Sequence, residues 1–547
     1  MIKLEQHQLD GARAGIDGLF GTILSGTGTG KTFMQAEIIA NSIWKEKNIE
    51  NPISMVKTGR IGLTNQVLDE YRTYFTLNFG KLDGKDFKAI LVHSGSAKKD
   101  DFAYSWYKDT IESFNGDWSS MDKRQKLKAI RKAKKNALVG LQIVKVKDLA
   151  NTLETYSDMP VIVGTTYHSN LRVVKAIVKA DMLSRLDVDI NDEAQYLVRG
   201  DFAEILNPDD RYEPRSQLFF TATPINTTND ITDEYIEQHG FTSGEAIEAK
   251  HGTGMANTER FGTVLFDLPD RESVRRRLVC PIRDMWIEPD KAIDDKTSKQ
   301  KGFPIVIADT FKRLAEELQL VAEAAGKDSN KHAKLLVTLR GIDIKHFLGS
   351  KQYADLIKEW PNLRILSVHS NPVLTTMNKP NGNVPVQIDR ETFNAEMRKA
   401  GKDTTSPTII LHNDILAEGI DVQGLSGALI LKDVKSWAKF KQIIGRVIRP
   451  WRDENRIPQW DVKPHGYIFF PKLKNDSGMV GRYSRWCANL YKEQTVAEVN
   501  EETEELGIDP KPYVVGAGIK SIGNTVDDVI KTEVLTDLVD FNLPSWA

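Results

Sequence analysis

The sequence predicts an α/β chain built on parallel sheets, and three observations carry that expectation. The apolar pair Ile23–Leu24 runs into SGTGTGKT, residues 25–32, and then into FMQAEIIANSIW, where apolar or small residues recur at helical spacing; this is the order strand, glycine loop, helix. Residues 186–195 read LDVDINDEAQ, with Leu186, Val188 and Ile190 alternating before Asp192 and Glu193. A strand that ends in two carboxylates puts them at the C-terminal edge, where parallel sheets bind ligands. Strand-like apolar runs then alternate with helical patterns through two long stretches, about 1–227 and 300–473.

At 547 residues the chain is too long for one ordinary domain, and length alone suggests about three to four. Hydrophobic residues make up 40% and charged residues 27%, the balance of a globular chain able to bury real cores. A net charge of −2 neither demands nor excludes nucleic acid, because binding needs only a local basic strip. Cys280 and Cys487 stand far apart with no zinc spacing near them, so they read as buried or idle thiols. The N-terminal MIKLEQHQLDGAR has no apolar signal region, and no run approaches the ~18–20 apolar residues of a spanning helix. A reducing, cytoplasmic setting is the expectation, host cytoplasm if the source is viral.

The loop departs from the strict phosphate-binding pattern G-x-x-x-x-G-K-[ST] only in having Ser25 for the first glycine, and serine is small enough for the turn. Gly26, Gly28 and Gly30 let the backbone turn sharply and aim N–H groups inward. Lys31 would bring a point charge to the β/γ-phosphates and Thr32 a hydroxyl for Mg²⁺, with the phosphates at the helix N-terminus. Lys31-Thr32 after the glycines, and the wrong third-glycine spacing, exclude a dinucleotide fingerprint; the bland alternative is a flexible glycine loop. Asp192 suits Mg²⁺, and Glu193 can polarise an attacking water. An Asp-Glu pair alone is usually a solvated edge, but the preceding loop favours the metal reading. Asp187 and Asp189 read as structural or solvated.

Further along, QLFFTATP (217–224) gives a strand followed by small polar residues, and KFKQIIGRVIRP carries Gln442, Gly445, Arg446 and Arg449. Arginines three apart share a helix face. They form either a surface salt-bridge face or a pair that reaches a γ-phosphate as an arginine finger.

These stretches, in this order, resemble the motif set of superfamily 2 helicases and translocases. SGTGTGKT resembles motif I, DEAQ motif II, TAT at 221–223 motif III, AEGIDV (417–422) motif V and QIIGRVIR (442–449) motif VI. TGRIGLTNQ (58–66) looks like motif Ia, VGTTYHS (163–169) like the next nucleic-acid motif and KLLVTLRG (334–341) like motif IV. LEQHQ resembles the element whose glutamine, here Gln8, reads adenine. The likeness covers roughly residues 1–472 and is nearest to phage branch-migration and DNA-repair helicases and restriction-enzyme motor subunits. Two departures stand out: Asn413 replaces a phosphate-touching threonine of motif V, and Gln195 ends the acidic box.

The resemblance implies two RecA-like parallel-sheet domains in tandem, with ATP in the cleft between them. The expected boundaries are 1–227 with an insertion at about 97–158, a bridging segment at 228–299, 300–473, and a C-terminal extension at 474–547. The insertion core MDKRQKLKAIRKAKKNAL reads as an amphipathic basic helix, either a solvated face or an element that grips or separates duplex.

It also implies an ATP-dependent DNA helicase or translocase that remodels forked or branched DNA. A motor that tracks duplex without separating strands, or a nucleotide-gated DNA-binding module with little turnover, are the rival readings. ATP would be held by Gln8, Ser25, Gly26, Thr27, Gly28, Thr29, Gly30, Lys31 and Thr32, with Gly419 and Asp421 on the ribose side. Mg²⁺ would sit on Thr32 and Asp192, and the chemistry would fall to Lys31, Asp192, Glu193, Gln442, Arg446 and Arg449. DNA would be touched by Arg60, Gln66, Thr166, Thr338, His369 and Asn413.

Overall fold

The computed structural model describes residues 2–93 except 60, 141–198 except 144, 211–224, 254–287, 299–326 except 325, 333–369, 373, 375–378, 385–403, 406–432 except 414–423, 434, 437–453, 457–460 and 462–471. The core of the basic insertion, the C-terminal extension, Arg60, Gly419, Asp421 and Cys487 lie outside the described residues. The chain divides into two compact units, Met1–Leu268 and Pro269–Ala547. Each is an α/β sandwich on a largely or wholly parallel sheet, so the chain carries two RecA-like domains in tandem.

In the first unit α1 (Gln6–Gly18), β1 (Phe20–Ser25), α2 (Lys31–Ala40), β2 (Ile53–Thr58), α3 (Ile61–Phe79) and β3 (Lys88–Val92) are followed by β4 (Leu141–Ile143), α4 (Val146–Thr155), β5 (Val161–Thr166), α5 (Asn170–Lys179), β6 (Leu186–Asp192), β7 (Ser216–Thr221), the one-turn α6 (Thr258–Phe261) and β8 (Thr263–Leu268). The eight strands run in the order β4-β3-β5-β2-β6-β7-β1-β8, and every neighbouring pair is parallel. Both faces are covered, and the two-residue strand period sorts side chains between them. Val56 and Leu91 join Ile23, Ile38, Leu68, Tyr71 and Phe75 on one face, while Met55 and Val92 join Leu149, Val173 and Ile177 on the other. Trp44, on a π-helical turn that continues α2, packs on Phe75, Phe79 and Phe87.

Asp187 and Asp189 are structural, and both are fully buried. Asp187 accepts from Arg215 Nε at 2.7 Å and from Ser42. Asp189 Oδ2 accepts from Lys57 at 2.7 Å, Gln217 at 3.0 Å and Tyr212 at 3.1 Å. Breaking a buried pair such as Lys57–Asp189 by removing one partner costs about 3–5 kcal/mol, because the other charge stays buried.

The second unit contains α7 (Asp270–Arg275), β9 (Ile282–Ile287), α8 (Lys299–Ala324), β10 (Lys334–Thr338), α9 (Gly341–Leu348), α10 (Lys351–Glu359), β11 (Arg364–Val368), β12 (Thr376–Asn378), β13 (Pro385–Gln387), α11 (Arg390–Lys402), β14 (Thr408–His412), β15 (Gly427–Ile430), α12 (Trp437–Val447) and β16 (Gly466–Pro471). Its sheet order is β13-β12-β11-β14-β10-β15-β16-β9. It is parallel except that β12 runs against β11 and β13 against β12. Phe311, Leu314 and Phe347 pack on one face and Phe393, Phe440 and Ile444 on the other.

The stretch expected to be a bridge, 228–299, is in its described part more than a linker. It supplies an edge strand to each sheet, β8 beside β1 and β9 beside β16, and the unit boundary falls inside it. Its charge-rich composition hid two short strands. Among the described residues no helix is long and apolar enough to cross a membrane.

Candidate nucleotide and nucleic-acid site

Because all eight strands of the first sheet are parallel, their C-terminal ends share one edge. Ser25, Thr58, Thr166, Asp192 and Thr221 close β1, β2, β5, β6 and β7. Topology thus gathers five stretches that are far apart in sequence. The glycine loop joins β1 directly to α2, with Gly28 at φ 91° and Gly30 at φ 87°, backbone that L side chains rarely adopt. A Cβ on Gly30 would lie 2.1 Å from Gln8 Nε2.

That contact locates Gln8. Its Nε2 donates to Thr29 O at 3.1 Å, its Oε1 accepts from Glu5 N at 2.9 Å, and His7 Nε2 donates to the same Thr29 carbonyl at 2.8 Å. The Gln8 amide is therefore engaged in bracing the loop. Inside the loop Ser25 and Thr29 hydroxyls pair at 2.6 Å, and Thr29 Oγ1 donates to Gly26 O at 2.7 Å. Serine in place of glycine supplies a brace. The Lys31 ammonium arches over the loop to the carbonyls of Ser25 (2.9 Å) and Gly26 (3.3 Å). Thr32, half-buried, opens the first turn of α2 beside it.

β6 ends at Asp192, and Glu193 follows at φ 54°, a left-handed conformation uncommon for glutamate and of the kind found at functional sites. Asp192 is buried; desolvation, then the charge of Glu193, push its carboxyl up to about 7, against the pull of the Lys31 ammonium and a hydrogen bond from Gln35. Gln195 ties two motifs together. Its Nε2 donates to Glu193 Oε2 at 2.8 Å, its Oε1 accepts from Thr221 Oγ1 at 2.6 Å, and Thr221 Oγ1 accepts from Thr223 N at 3.0 Å.

A divalent cation fits these residues. A carboxyl forced toward neutrality by burial and a like charge gains from a cation at its side. Among the described residues no group of three or more His, Cys, Asp or Glu could hold a metal. Mg²⁺ suits such a site, because it is bound through one or two carboxylates with phosphates completing its shell.

The second unit repeats the edge principle. Thr338 ends β10, His369 follows β11, and His412 ends β14 with Asn413 directly after it. Asn413 Nδ2 lies 3.3 Å from His369 Nε2, Lys432 Nζ donates to Asn413 Oδ1 at 3.1 Å, and Thr338 Oγ1 lies 2.9 Å from His412 Nε2. Close approach of α9 to the His369 ring requires Gly341, where a Cβ would lie 2.4 Å from the ring nitrogen. Of the three expected DNA contacts of this unit, His369 and Asn413 meet, and Thr338 is buried with its hydroxyl on His412. Thr166 is likewise buried, donating to Ser169 at 3.2 Å. Gln66, on α3, donates to Glu70 at 2.8 Å.

The two arginines do not share a helix face. α12 ends at Val447, so Arg446 lies in its last turn and Arg449 beyond it, in the bend that leads to Pro450. Lys463 donates to the Arg449 carbonyl and pins that bend. Lys441 pairs with Asp270, which anchors the helix to α7. Gln442, on the same helix, is half-buried. Cys280 is buried, its thiol pushed up to about 11 by desolvation, so it is no nucleophile.

Sequence reasoning missed Gln35, Tyr71, Tyr167 and Lys432. Gln35 was detectable as a polar residue within the apolar stripe of MQAEII, and Tyr167 lay inside VGTTYHS without being singled out; Tyr71 and Lys432 carried no signal at the level of motif or periodicity.

A parallel sheet with a Gly-Lys-Thr loop and an acid pair on one edge, followed by a second α/β domain on a largely parallel sheet, defines a tandem RecA-like α/β chain. Two solved structures are similar to it in fold. The ATP-dependent Type ISP restriction-modification enzyme LlaBIII bound to DNA is 14% identical with a TM-score of 0.53, over 93% of this chain and 31% of that one. A nuclease-deletion mutant of the Type ISP enzyme LlaGI, in complex with a DNA substrate mimic, is 13% identical with a TM-score of 0.52, over 99% of this chain and 32% of that one. The chain therefore spans about a third of the length of these enzymes. No protein-family model matches the sequence, and no curated protein does.

Proposed function

We propose that the chain hydrolyses ATP and couples turnover to movement along DNA. The observation that supports this best is the single sheet edge that carries the Lys31 loop, Asp192 and Glu193, with Gln195 linking Glu193 to Thr221. The loop N–H groups and Lys31 would cradle the phosphates. Thr32 and Asp192 are the residues that would hold Mg²⁺, which supplies charge neutralisation on the phosphates when bound. Glu193 orients the attacking water and accepts its proton, while Gln195 fixes the carboxylate. Arg446 and Arg449 would stabilise the charge that develops on the γ-phosphate, with Gln442 beside them. Gln66, His369, Asn413 and Lys432 are the side chains for the DNA backbone, which is bound without regard to sequence.

Kinship with phage branch-migration and DNA-repair helicases, and action on forked or branched DNA, rest on the motif order alone. The restriction-type folds favour a second reading, a motor that tracks duplex without separating strands, since LlaBIII is an ATP-dependent enzyme bound to DNA. The two are separated by assaying strand separation on a fork alongside displacement of a triplex-forming strand from blunt duplex. Fork unwinding supports the helicase, triplex displacement alone the duplex tracker. Failure of both, with ATP hydrolysis indifferent to DNA, would remove the motor reading.

A further inference from the structure

Asp192 is gripped from two sides, by Gln35 and by Tyr167, neither of them among the expected site residues. Gln35, on α2 one turn after Lys31, is fully buried and donates from Nε2 to Asp192 Oδ1 at 2.9 Å. The remaining amide oxygen of Gln35 accepts from Tyr71 OH at 3.0 Å, and Tyr71 is a buried residue of α3. Tyr167, directly after β5, donates its hydroxyl to the Asp192 backbone carbonyl at 2.7 Å.

An amide can face a carboxylate in two orientations, with its NH₂ or with its oxygen. Only the first is attractive, and the Tyr71 hydroxyl, a donor, selects it by claiming the oxygen. Without that partner the Gln35 amide would be held in this orientation by Asp192 alone, with its own oxygen buried and unpaired. The arrangement fixes Oδ1 on the Gln35 amide.

We propose that Gln35, oriented by Tyr71, is a positioning residue that holds the Asp192 carboxylate ready for the divalent cation. This rests on the nucleotide reading of the site above. The relay runs from α3, the helix that also carries Gln66, through α2 to the end of β6. Gln35 and Tyr71 touch neither nucleotide nor cation; they act through Asp192.

The test is a double-mutant cycle on binding, not turnover. In the full chain, binding of a fluorescent ATP analogue is titrated with Mg²⁺ for wild type, Tyr71→Phe, Gln35→Met and the double variant. Tyr71→Phe should raise the Mg²⁺ concentration for half-saturation several-fold and Gln35→Met about tenfold, in keeping with a hydrogen bond to a charged group. The double variant should match Gln35→Met, because the hydroxyl acts only through the amide. Binding measured without Mg²⁺ should be unchanged in all four, a readout that general loss of packing would move. If Gln35→Met does not fold, Tyr71→Phe, which removes one hydroxyl, still decides. An unchanged Mg²⁺ requirement in the single variants, or effects that multiply in the double, would overturn the relay. A wild type that binds the analogue with no dependence on Mg²⁺ would instead overturn the nucleotide reading beneath it.

Discussion

Replacing Asp192 by Asn should stabilise the nucleotide-free first unit, and the gain should grow with pH. In the native chain burial and the neighbouring Glu193 lift the Asp192 carboxyl from its ordinary 3.8 to about 7. The native state therefore keeps a proton that the unfolded chain has already lost over that window. Stability is full below about pH 4, falls as pH rises toward about 7, and is flat above. At about 1.4 kcal/mol per unit, the whole ramp amounts to about 4 kcal/mol, and the part between about pH 5.5 and 8 to about 2 kcal/mol. Asn keeps an oxygen for the Gln35 amide and has no charge to desolvate, so it does not follow the ramp. A chain of two units does not unfold in one step, so the suitable probe is local: native-state hydrogen exchange of peptides covering β6. The ratio of exchange rates, wild type over Asp192→Asn, should rise about 30-fold between those two pH values. A ratio that stays constant, or falls with pH, would show that Asp192 is not held near neutrality.

Three further outcomes are expected. Glu193→Gln should keep binding of a fluorescent ATP analogue while phosphate release falls by about 10² or more, and Gln195→Ala should lower turnover less, because it removes only the group that orients the carboxylate. Arg446→Lys and Arg449→Lys keep the charge but lose the planar fork, so turnover should fall by about 10² or more with analogue affinity changed only a few-fold. Lys432→Gln should weaken single-stranded DNA binding in fluorescence anisotropy and reduce the salt slope by about 0.7. Thr338→Val should leave that slope unchanged, because its hydroxyl already bonds His412.

The alternation of apolar runs made both sheets legible in the sequence, and the Gly-Lys-Thr loop and the Asp192-Glu193 strand end marked one sheet edge. Two kinds of feature were not legible. Short edge strands in charged surroundings, β8 (TVLFDL) and β9 (IRDMWI), are apolar but only six residues long, and the charged stretches around them read as a linker. Partners brought together by topology, such as Tyr71 with Gln35 or Lys432 with Asn413, leave no periodic trace because their spacing in sequence is arbitrary. The arginine pair misled for a local reason: a spacing of three implies one helix face only if the helix continues, and here it stops at Val447. For Thr166 and Thr338 the motif match gave position on a strand end but not the partner of the hydroxyl inside the fold.

The most direct test of the proposed activity is ATP hydrolysis by the full chain with and without single-stranded DNA, for wild type and Lys31→Ala side by side. Wild type should hydrolyse ATP and do so faster with DNA, and Lys31→Ala should be inactive in both, since the phosphates lose their main counter-charge. Turnover absent in wild type, indifferent to DNA, or persisting in Lys31→Ala would contradict a DNA-coupled motor built on this loop.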